Sequence, residues 1–71
     1  MRSMFTVEEV SEMLDMKISE VSQEMENGHL SYTYHQGKRV ITLYDLEKYM
    51  GSDITMAITR EYLRSKTNAQ A

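Results

Sequence analysis

This chain of 71 residues contains three glycines and no proline. They stand at positions 28, 37 and 51, each where a stretch of regularly spaced apolar side chains stops or turns. Glycine is, with proline, the strongest local signal for the end of a helix or for a turn. The sequence therefore predicts helices up to position 27, a hairpin turn at Gly37, a helix that stops at Gly51, and one more helix after it.

The predicted first helix begins after Thr6. The hydroxyl of Thr6 can accept a hydrogen bond from the first turn, and Glu9, three residues on, completes a capping box. Phe5 and Val10 are placed to pack together as a hydrophobic staple. One helical face is apolar throughout and consists of Val7, Val10, Met13 and Leu14.

A second helix is expected from Ile18 or Ser19 to Glu26, after a tight turn over residues 15–17 in which Met16 is directed to the core. Asn27 and Gly28 form a typical C-terminal stop. At 100° per residue the apolar stripe consists of Ile18, Val21 and Met25. The side chains that point away from this stripe are Ser19, Glu20, Gln23 and Asn27.

Residues 30–35 and 39–43 favour strands, and Gln36-Gly37 suits the two-residue turn between them. A third helix is expected after Thr42, with Asp45 at its third position and with Leu46, Tyr49 and Met50 buried. A fourth helix is predicted from Ser52 or Asp53 to Lys66. Its apolar stripe is Ile54, Ala57, Ile58 and Tyr62, with Met56 and Leu63 beside it.

The bulk composition limits what this chain can be. Seventy-one residues form one domain and bury only about 60% of the unfolded surface, so help from a partner or a second copy is expected. There is no cysteine and hence neither a disulfide nor a thiolate zinc site. No apolar run is long enough to span a membrane, so we expect a soluble, cytoplasmic protein. Eleven acidic residues against eight basic ones are unfavourable for binding nucleic acid.

Together these elements predict a mainly helical fold with a small β-hairpin, and two stretches resemble a known family. The stretches are FTVEEVSEMLDM and NGHLSYTYHQGKRVITLYDLEKYM, at residues 5–16 and 27–50. They are similar to the excisionase-type, MerR-like winged helix-turn-helix domains of bacteria and their phages. The resemblance implies such a domain over residues 1–51. The residues themselves predict a C-terminal helix over 52–66, for packing or self-association, and a disordered tail over 67–71.

The same resemblance implies a small DNA-binding protein, either a transcription regulator or a recombination-directionality factor, in the cytoplasm of a bacterial or phage-infected cell. In such domains the second helix enters the major groove and the hairpin, called the wing, touches the DNA backbone or the minor groove. By position, the residues that would contact double-stranded DNA are Lys17, Ser19, Gln23 and Asn27, with Glu20 and Ser22 beside them, and Lys38 and Arg39 on the hairpin.

The second helix departs from this family. Members carry Arg or Lys at the positions of Gln23 and Glu26, whereas this chain has no basic residue from position 18 to position 28 and has three glutamates there. A single glutamate can accept from cytosine, but three carboxylates near phosphates are repelled. Lys17 also stands where a capping Ser or Thr is usual, which predicts a short or frayed helix.

The acidic helix supports a second interpretation, a protein-interaction module built on the same fold. Glu20, Glu24 and Glu26 would face a basic partner, and the fourth helix would supply an apolar surface of Ile54, Ile58 and Leu63. A homodimer through the fourth helix is a related expectation. Charge runs are more often a solvated helix face.

Nothing in the sequence points to an enzyme, a cofactor or a metal. His29 and His35 are six residues apart, and their spacing does not match a metal site. There is neither a Gly-rich phosphate loop nor a serine beside a plausible base.

Overall fold

The computed structural model describes residues 2–70, with side chains described for residues 2–67. The described residues form four helices and a small antiparallel sheet. In chain order the elements are β1 (Met4–Thr6), α1 (Val7–Leu14), α2 (Ile18–Glu26), β2 (Thr33–His35), β3 (Lys38–Thr42), α3 (Leu43–Met50) and α4 (Ser52–Gln70). The fold is therefore mainly helical with a small sheet, as predicted.

The sheet has three strands, in the order β1-β3-β2, so the predicted two-stranded hairpin is only part of it. Strand β1 was not predicted, because three residues are too few to show an alternating pattern and their partners lie far along the chain. Phe5 pairs with Ile41 in the β1–β3 register, and both side chains are buried in the core. Since β1 leads directly into α1 and β3 into α3, this pairing sets the starting points of two helices side by side.

Both predicted capping boxes are present. The Thr6 hydroxyl accepts from the Glu9 N–H at 3.1 Å, and the Glu9 carboxylate accepts from the Thr6 N–H at 3.0 Å. Thr42 and Asp45 repeat the arrangement at the start of α3, with the same two distances. A cap of this kind contributes about 1 kcal/mol. These boxes explain why the chain changes from strand to helix within one residue at both places.

The hairpin turn is also as predicted. Gln36 and Gly37 both have positive φ, 53° and 80°, as the type I′ turn that matches the twist of a hairpin requires. The strands themselves are shifted from the prediction: β2 starts at Thr33 rather than at Leu30, and β3 spans Lys38–Thr42. Leu30 lies before the strand and is buried in the core, which removes it from the hairpin.

The core lies between the sheet and the four helices. Its buried apolar members are Phe5, Val7, Val10, Val21, Met25, Leu30, Ile41, Leu46 and Tyr62. Met16, Tyr49 and Met50 pack against this cluster and are partly buried, as the sequence predicted. The ring of Phe5 meets that of Tyr62 edge to face at 6.5 Å, so α4 covers the start of α1.

The predicted apolar stripe of α4 is confirmed only in part: Tyr62 is buried and Ile58 is half-buried, but Ile54 and Ala57 are not buried. Thr55 and Thr59 are buried beside Tyr62, whereas Ile54 is 54% exposed and Ala57 is also exposed. Helix α4 contacts α1 and α3, and the Thr59 hydroxyl is satisfied by the Thr55 carbonyl at 2.7 Å. Helix α4 also continues to Gln70, beyond the predicted end at Lys66 and into the segment 67–71 that was expected to be a disordered tail.

Candidate nucleic-acid interface

Two cations stand at the tip of the hairpin, where the sequence placed them. In the β2–β3 register Lys38 pairs with His35 and Arg39 pairs with Tyr34. The Lys38 side chain is exposed, and the Arg39 guanidinium lies 5.7 Å from the centroid of the Tyr32 ring. Neither cation forms an ion pair within residues 2–67. Both positive charges are therefore available to a phosphate.

An open groove separates the hairpin tip from the first turns of α2. It is lined by Thr6, Val7, Glu8, Ile18, Ser22, Lys38 and Arg39. Ile18 was predicted to be part of the buried stripe of α2, but it is 50% exposed, because it stands in the first turn at the edge of the groove. The structure thus brings the two hairpin cations next to Ser22 of the helix that the sequence proposed as the reading helix.

The outward side of α2 carries an uncharged row. Ser19, Gln23 and Asn27 are exposed and lie opposite Val21 and Met25, which are buried. They are four residues apart, so successive members are rotated by only about 40° and form one line along the helix. The Gln23 side-chain amide donates to the Asn27 Oδ1 at 3.2 Å. Three of the four predicted helix contacts are therefore on one accessible face.

Lys17 is the fourth predicted contact. It is the N-cap residue of α2, and its side chain has no oxygen that could accept from the first turn. The Lys17 backbone N–H donates to the Glu20 Oε1 at 2.8 Å. Glu20 thus supplies the half of a capping box that the Lys17 side chain does not, and α2 starts at Ile18. This bond turns the Glu20 carboxylate back toward the N-terminus of its own helix.

The Glu24 carboxylate has two partners within the protein, whereas Glu20 has one. The Tyr49 hydroxyl donates to its Oε1 at 2.7 Å, and the His29 Nδ1 lies 3.1 Å from its Oε2. These contacts hold the pKa of Glu24 below its ordinary value, the bond from Tyr49 having the larger effect, and the Glu24 carboxylate in turn raises the pKa of Tyr49. Sequence reasoning missed this three-residue contact, because Tyr49 is 25 residues away and no local pattern joins it to Glu24.

Glu26 is the remaining glutamate of α2. Its side chain is exposed and takes part in no ion pair of the described part of the chain. The three carboxylates therefore do not form one free acidic face. Two of them serve the protein itself, one at the start of α2 and one between α2 and α3.

Some of the described Lys and Arg side chains form an ion pair, and others do not. Arg2 pairs with Glu9, Arg64 with Glu61, and Lys66 with Glu12 at 3.2 Å. Among residues 2–67 the cations without an ion pair are Lys17, Lys38, Arg39, Lys48 and Arg60. Three of these five stand at the hairpin tip or at the start of α2, so the unpaired positive charge is concentrated on the side of the groove.

The apolar surface predicted on α4 is divided between two sides of the helix. Ile54 is exposed, while Ile58 and Leu63 are half-buried. Ile54 and Ile58 are one turn apart, but Leu63 is nine residues from Ile54 and thus on the opposite flank. Ile58 lines an open groove between α1 and α4 together with Met13 and Tyr62. Ile54, Ile58 and Leu63 therefore do not form one continuous patch.

Within the described residues, no group of three or more His, Asp or Glu side chains could hold a metal ion. None of the helices described here has the length and apolar character needed to cross a membrane. Comparison with protein-family models, with curated proteins and with solved structures finds no match for this chain. The family resemblance therefore stays a prediction, and the function has to be argued from the groove and from α2.

Proposed function

We propose that this chain is a non-enzymatic, sequence-specific DNA-binding protein of the winged helix-turn-helix type. Helix α2 would lie in the major groove, and the hairpin tip would contact the phosphate backbone as a wing. The resemblance of the sequence suggests a transcription regulator or a recombination-directionality factor of the excisionase type. The observation that carries the proposal is the placement of unpaired Lys38 and Arg39 across a groove from Ser22 on α2.

The acidity of α2 is less of an obstacle than its sequence suggested. Glu20 accepts from the Lys17 N–H, and Glu24 accepts from Tyr49, so neither carboxylate has to be placed against a phosphate. Only Glu26 of the three is uncommitted within the described residues. The same facts weaken the alternative, an acidic helix that binds a basic protein, because only Glu26 of the three is free of an internal hydrogen bond among the described residues.

Affinity per chain should be low, because few unpaired cations face the groove. Each neutralised phosphate contributes a slope of about −0.9 to a plot of log affinity against log salt concentration. Two hairpin contacts and Lys17 together predict a slope of about −2 to −3. We expect cooperative binding or a homodimer to raise the affinity for a specific site.

The test is fluorescence anisotropy on mixed-sequence duplex DNA at low and at near-physiological salt. Wild-type protein should bind at low salt and weaken as salt is added. Lys38→Glu with Arg39→Glu should abolish binding, because two phosphate contacts become repulsive. A matched control, Lys48→Glu with Arg60→Glu, changes the net charge equally at two unpaired cations on α3 and α4 and should bind far better.

Two results would overturn the proposal. One is no binding of wild-type protein to any duplex at low salt. The other is an equal loss in the hairpin variant and in the control, because binding would then depend on net charge and not on the hairpin tip. In either case the next variant is Glu26→Lys, which removes the one uncommitted carboxylate on which a basic protein partner could depend.

A further inference from the structure

We infer that the row Ser19–Gln23–Asn27 reads adenine, so that the specific site carries an A·T pair opposite Gln23 in the major groove. This inference rests on the proposed function and adds to it the chemical identity of the base that is recognised. It depends on which groups of α2 remain free once the internal hydrogen bonds of the protein have been made.

The outward row is the part of α2 that a DNA groove would meet. Its three side chains are exposed, and they lie on the side of the helix away from buried Val21 and Met25. Two of the three acidic neighbours are directed elsewhere, Glu20 to the backbone of Lys17 and Glu24 to Tyr49, while Glu26 is exposed beside the row. The three side chains of the row offer one hydroxyl and two carboxamides to a base edge, and none of these groups carries a charge.

The internal bond between the two amides defines their remaining capacity. Gln23 gives one of its two N–H groups to the Asn27 Oδ1. It keeps its second N–H and its Oε1, which together make a donor beside an acceptor. Asn27 keeps both of its N–H donors, and its bond to Gln23 holds the Gln23 amide in place.

Adenine is the base whose major-groove edge fits a donor beside an acceptor. Its N7 accepts and its N6 amino group donates, so one carboxamide can bind both. Guanine presents two acceptors, N7 and O6, and is usually read by Arg or Lys, neither of which occurs between positions 18 and 28. Cytosine presents a donor that a carboxylate would accept. Glu20 is already bonded within the protein, and the free carboxylate, Glu26, stands about one helical turn from Gln23 and not at the position that faces Gln23.

Thymine is excluded as the main contact by a similar argument. Its distinguishing feature in the major groove is a methyl group, which is read by apolar side chains. The row has no apolar side chain, since it consists of Ser19, Gln23 and Asn27. Ile18 is exposed, but it lines the groove beside the hairpin. Adenine at the position that faces Gln23 is thus the base that satisfies every free group of this side chain.

The experiment has two stages and uses the whole chain. Wild-type protein first selects duplexes from a randomised pool at low salt, and the selected duplex then becomes the probe. Each adenine of the probe is replaced in turn by 7-deazaadenine, which keeps base pairing and removes the N7 acceptor. One replacement should weaken binding by about 10- to 100-fold, and the same replacement should have no effect on Gln23→Ala.

A specificity change provides the second readout. Gln23→Arg puts two donors where Gln23 offers a donor and an acceptor, so selection by this variant should yield guanine in place of adenine at one position. The side chain is exposed, and arginine is a good helix former, so the fold should be retained. Circular dichroism and thermal unfolding of the variant check this.

The outcomes separate the inference from the proposed function. Salt-dependent binding to a selected duplex that is indifferent to every 7-deazaadenine replacement would overturn the adenine assignment and leave DNA binding intact. Retention of the adenine preference by Gln23→Ala would do the same. Absence of binding to the randomised pool would overturn both together.

Discussion

Helices α2 and α4 depart from their sequence patterns in opposite ways. In α2, the glutamates that were expected to be free are used within the protein, Glu20 at the N-terminus of the helix and Glu24 against Tyr49. In α4, isoleucine that was expected to be buried is exposed, and threonines occupy the core. The comparison teaches that the type of a surface residue indicates a function only after its intramolecular partners are known.

The cause of the difference is the neighbour that each helix meets. Helix α2 has Tyr49 of α3 within reach of its flank, and this hydroxyl can stabilise a carboxylate there. Helix α4 packs against α1 and α3, and Thr55 and Thr59 are buried on it. A carboxylate beside a hydrogen-bond donor and a buried threonine are both favourable here, although neither follows the rule that apolar residues of an amphipathic helix face the core.

The largest expected effect is on the free energy of unfolding, and it distinguishes Met25 from Ile18 at the two ends of the predicted apolar stripe of α2. Met25→Ala should lower the free energy of unfolding by about 2–4 kcal/mol, because Met25 is 3% exposed and its removal leaves a cavity. Ile18→Ala is the matched control, since Ile18 is half exposed at the groove and should cost far less. Urea unfolding of both variants measures the difference. Equal losses would mean that Ile18 is a core residue after all.

The next effect concerns the bond from Tyr49 to Glu24. Tyr49→Phe should cost about 1 kcal/mol near neutral pH, because it removes one hydrogen bond to a carboxylate and leaves the ring in place. Tyr44→Phe on the same helix is the control, since the Tyr44 side chain is exposed and donates no hydrogen bond within the described residues. Thermal unfolding of the two variants provides the comparison.

The pH dependence of the Tyr49→Phe effect has a defined sign. The folded-state pKa of Glu24 lies below its ordinary value of 4.5, first because of Tyr49 and then because of His29. The stability that comes from this contact is therefore complete above pH 4.5 and is lost as the pH falls through the lowered value. Wild type and Tyr49→Phe should converge in acid. A difference that stays constant down to about pH 2 would show that the carboxylate is not involved.

Two threonines of α4 should respond in opposite directions to the same substitution. The Thr55 hydroxyl is buried and has no hydrogen-bond partner among the described residues, whereas the Thr59 hydroxyl donates to the Thr55 carbonyl. Thr55→Val should stabilise the protein by up to about 1 kcal/mol, because an unsatisfied polar group is replaced by a methyl group of similar size. Thr59→Val should destabilise it by about the same amount.

Calorimetry of the two valine variants measures these effects as changes in melting temperature. For a domain of this size 1 kcal/mol corresponds to about 4–8 °C. Destabilisation by both substitutions would indicate that the Thr55 hydroxyl is satisfied in solution, for example by water, and the contrast between α2 and α4 would then be smaller than the structure suggests.

The parts of the fold that were predictable depend on neighbours in sequence. The capping boxes at Thr6 and Thr42, the turn at Gly37 and the bounds of α2 each follow from residues within a few positions of one another. Strand β1 was not predictable, because its three residues become a strand only when β3 lies beside them. Residues that act at a distance carry no such local signal.

The candidate site shows the same division. The hairpin cations and the outward row of α2 were assigned to DNA contacts by the family resemblance, and their places at a turn and on one helix face follow from turn chemistry and periodicity, which are local. The hydrogen bond from Tyr49 to Glu24 could not be predicted, since it depends on the position of α3 relative to α2. The burial of Thr55 likewise depends on how closely α4 approaches its neighbours, and hydrophobicity alone favoured Ile54 instead.

The smallest expected effect is at Ile54, and it tests whether α4 is free in solution. Ile54→Ser should change the free energy of unfolding by no more than about 0.5 kcal/mol, because the side chain is 54% exposed and leaves no cavity. Thermal unfolding at several protein concentrations measures both the size of the effect and its dependence on concentration. A cost that grows with concentration would mean that a second copy covers Ile54, as in the predicted homodimer, because an associating protein gains stability by mass action. A small cost at every concentration would mean that the exposed side of α4 has no role in folding and that no second copy covers Ile54.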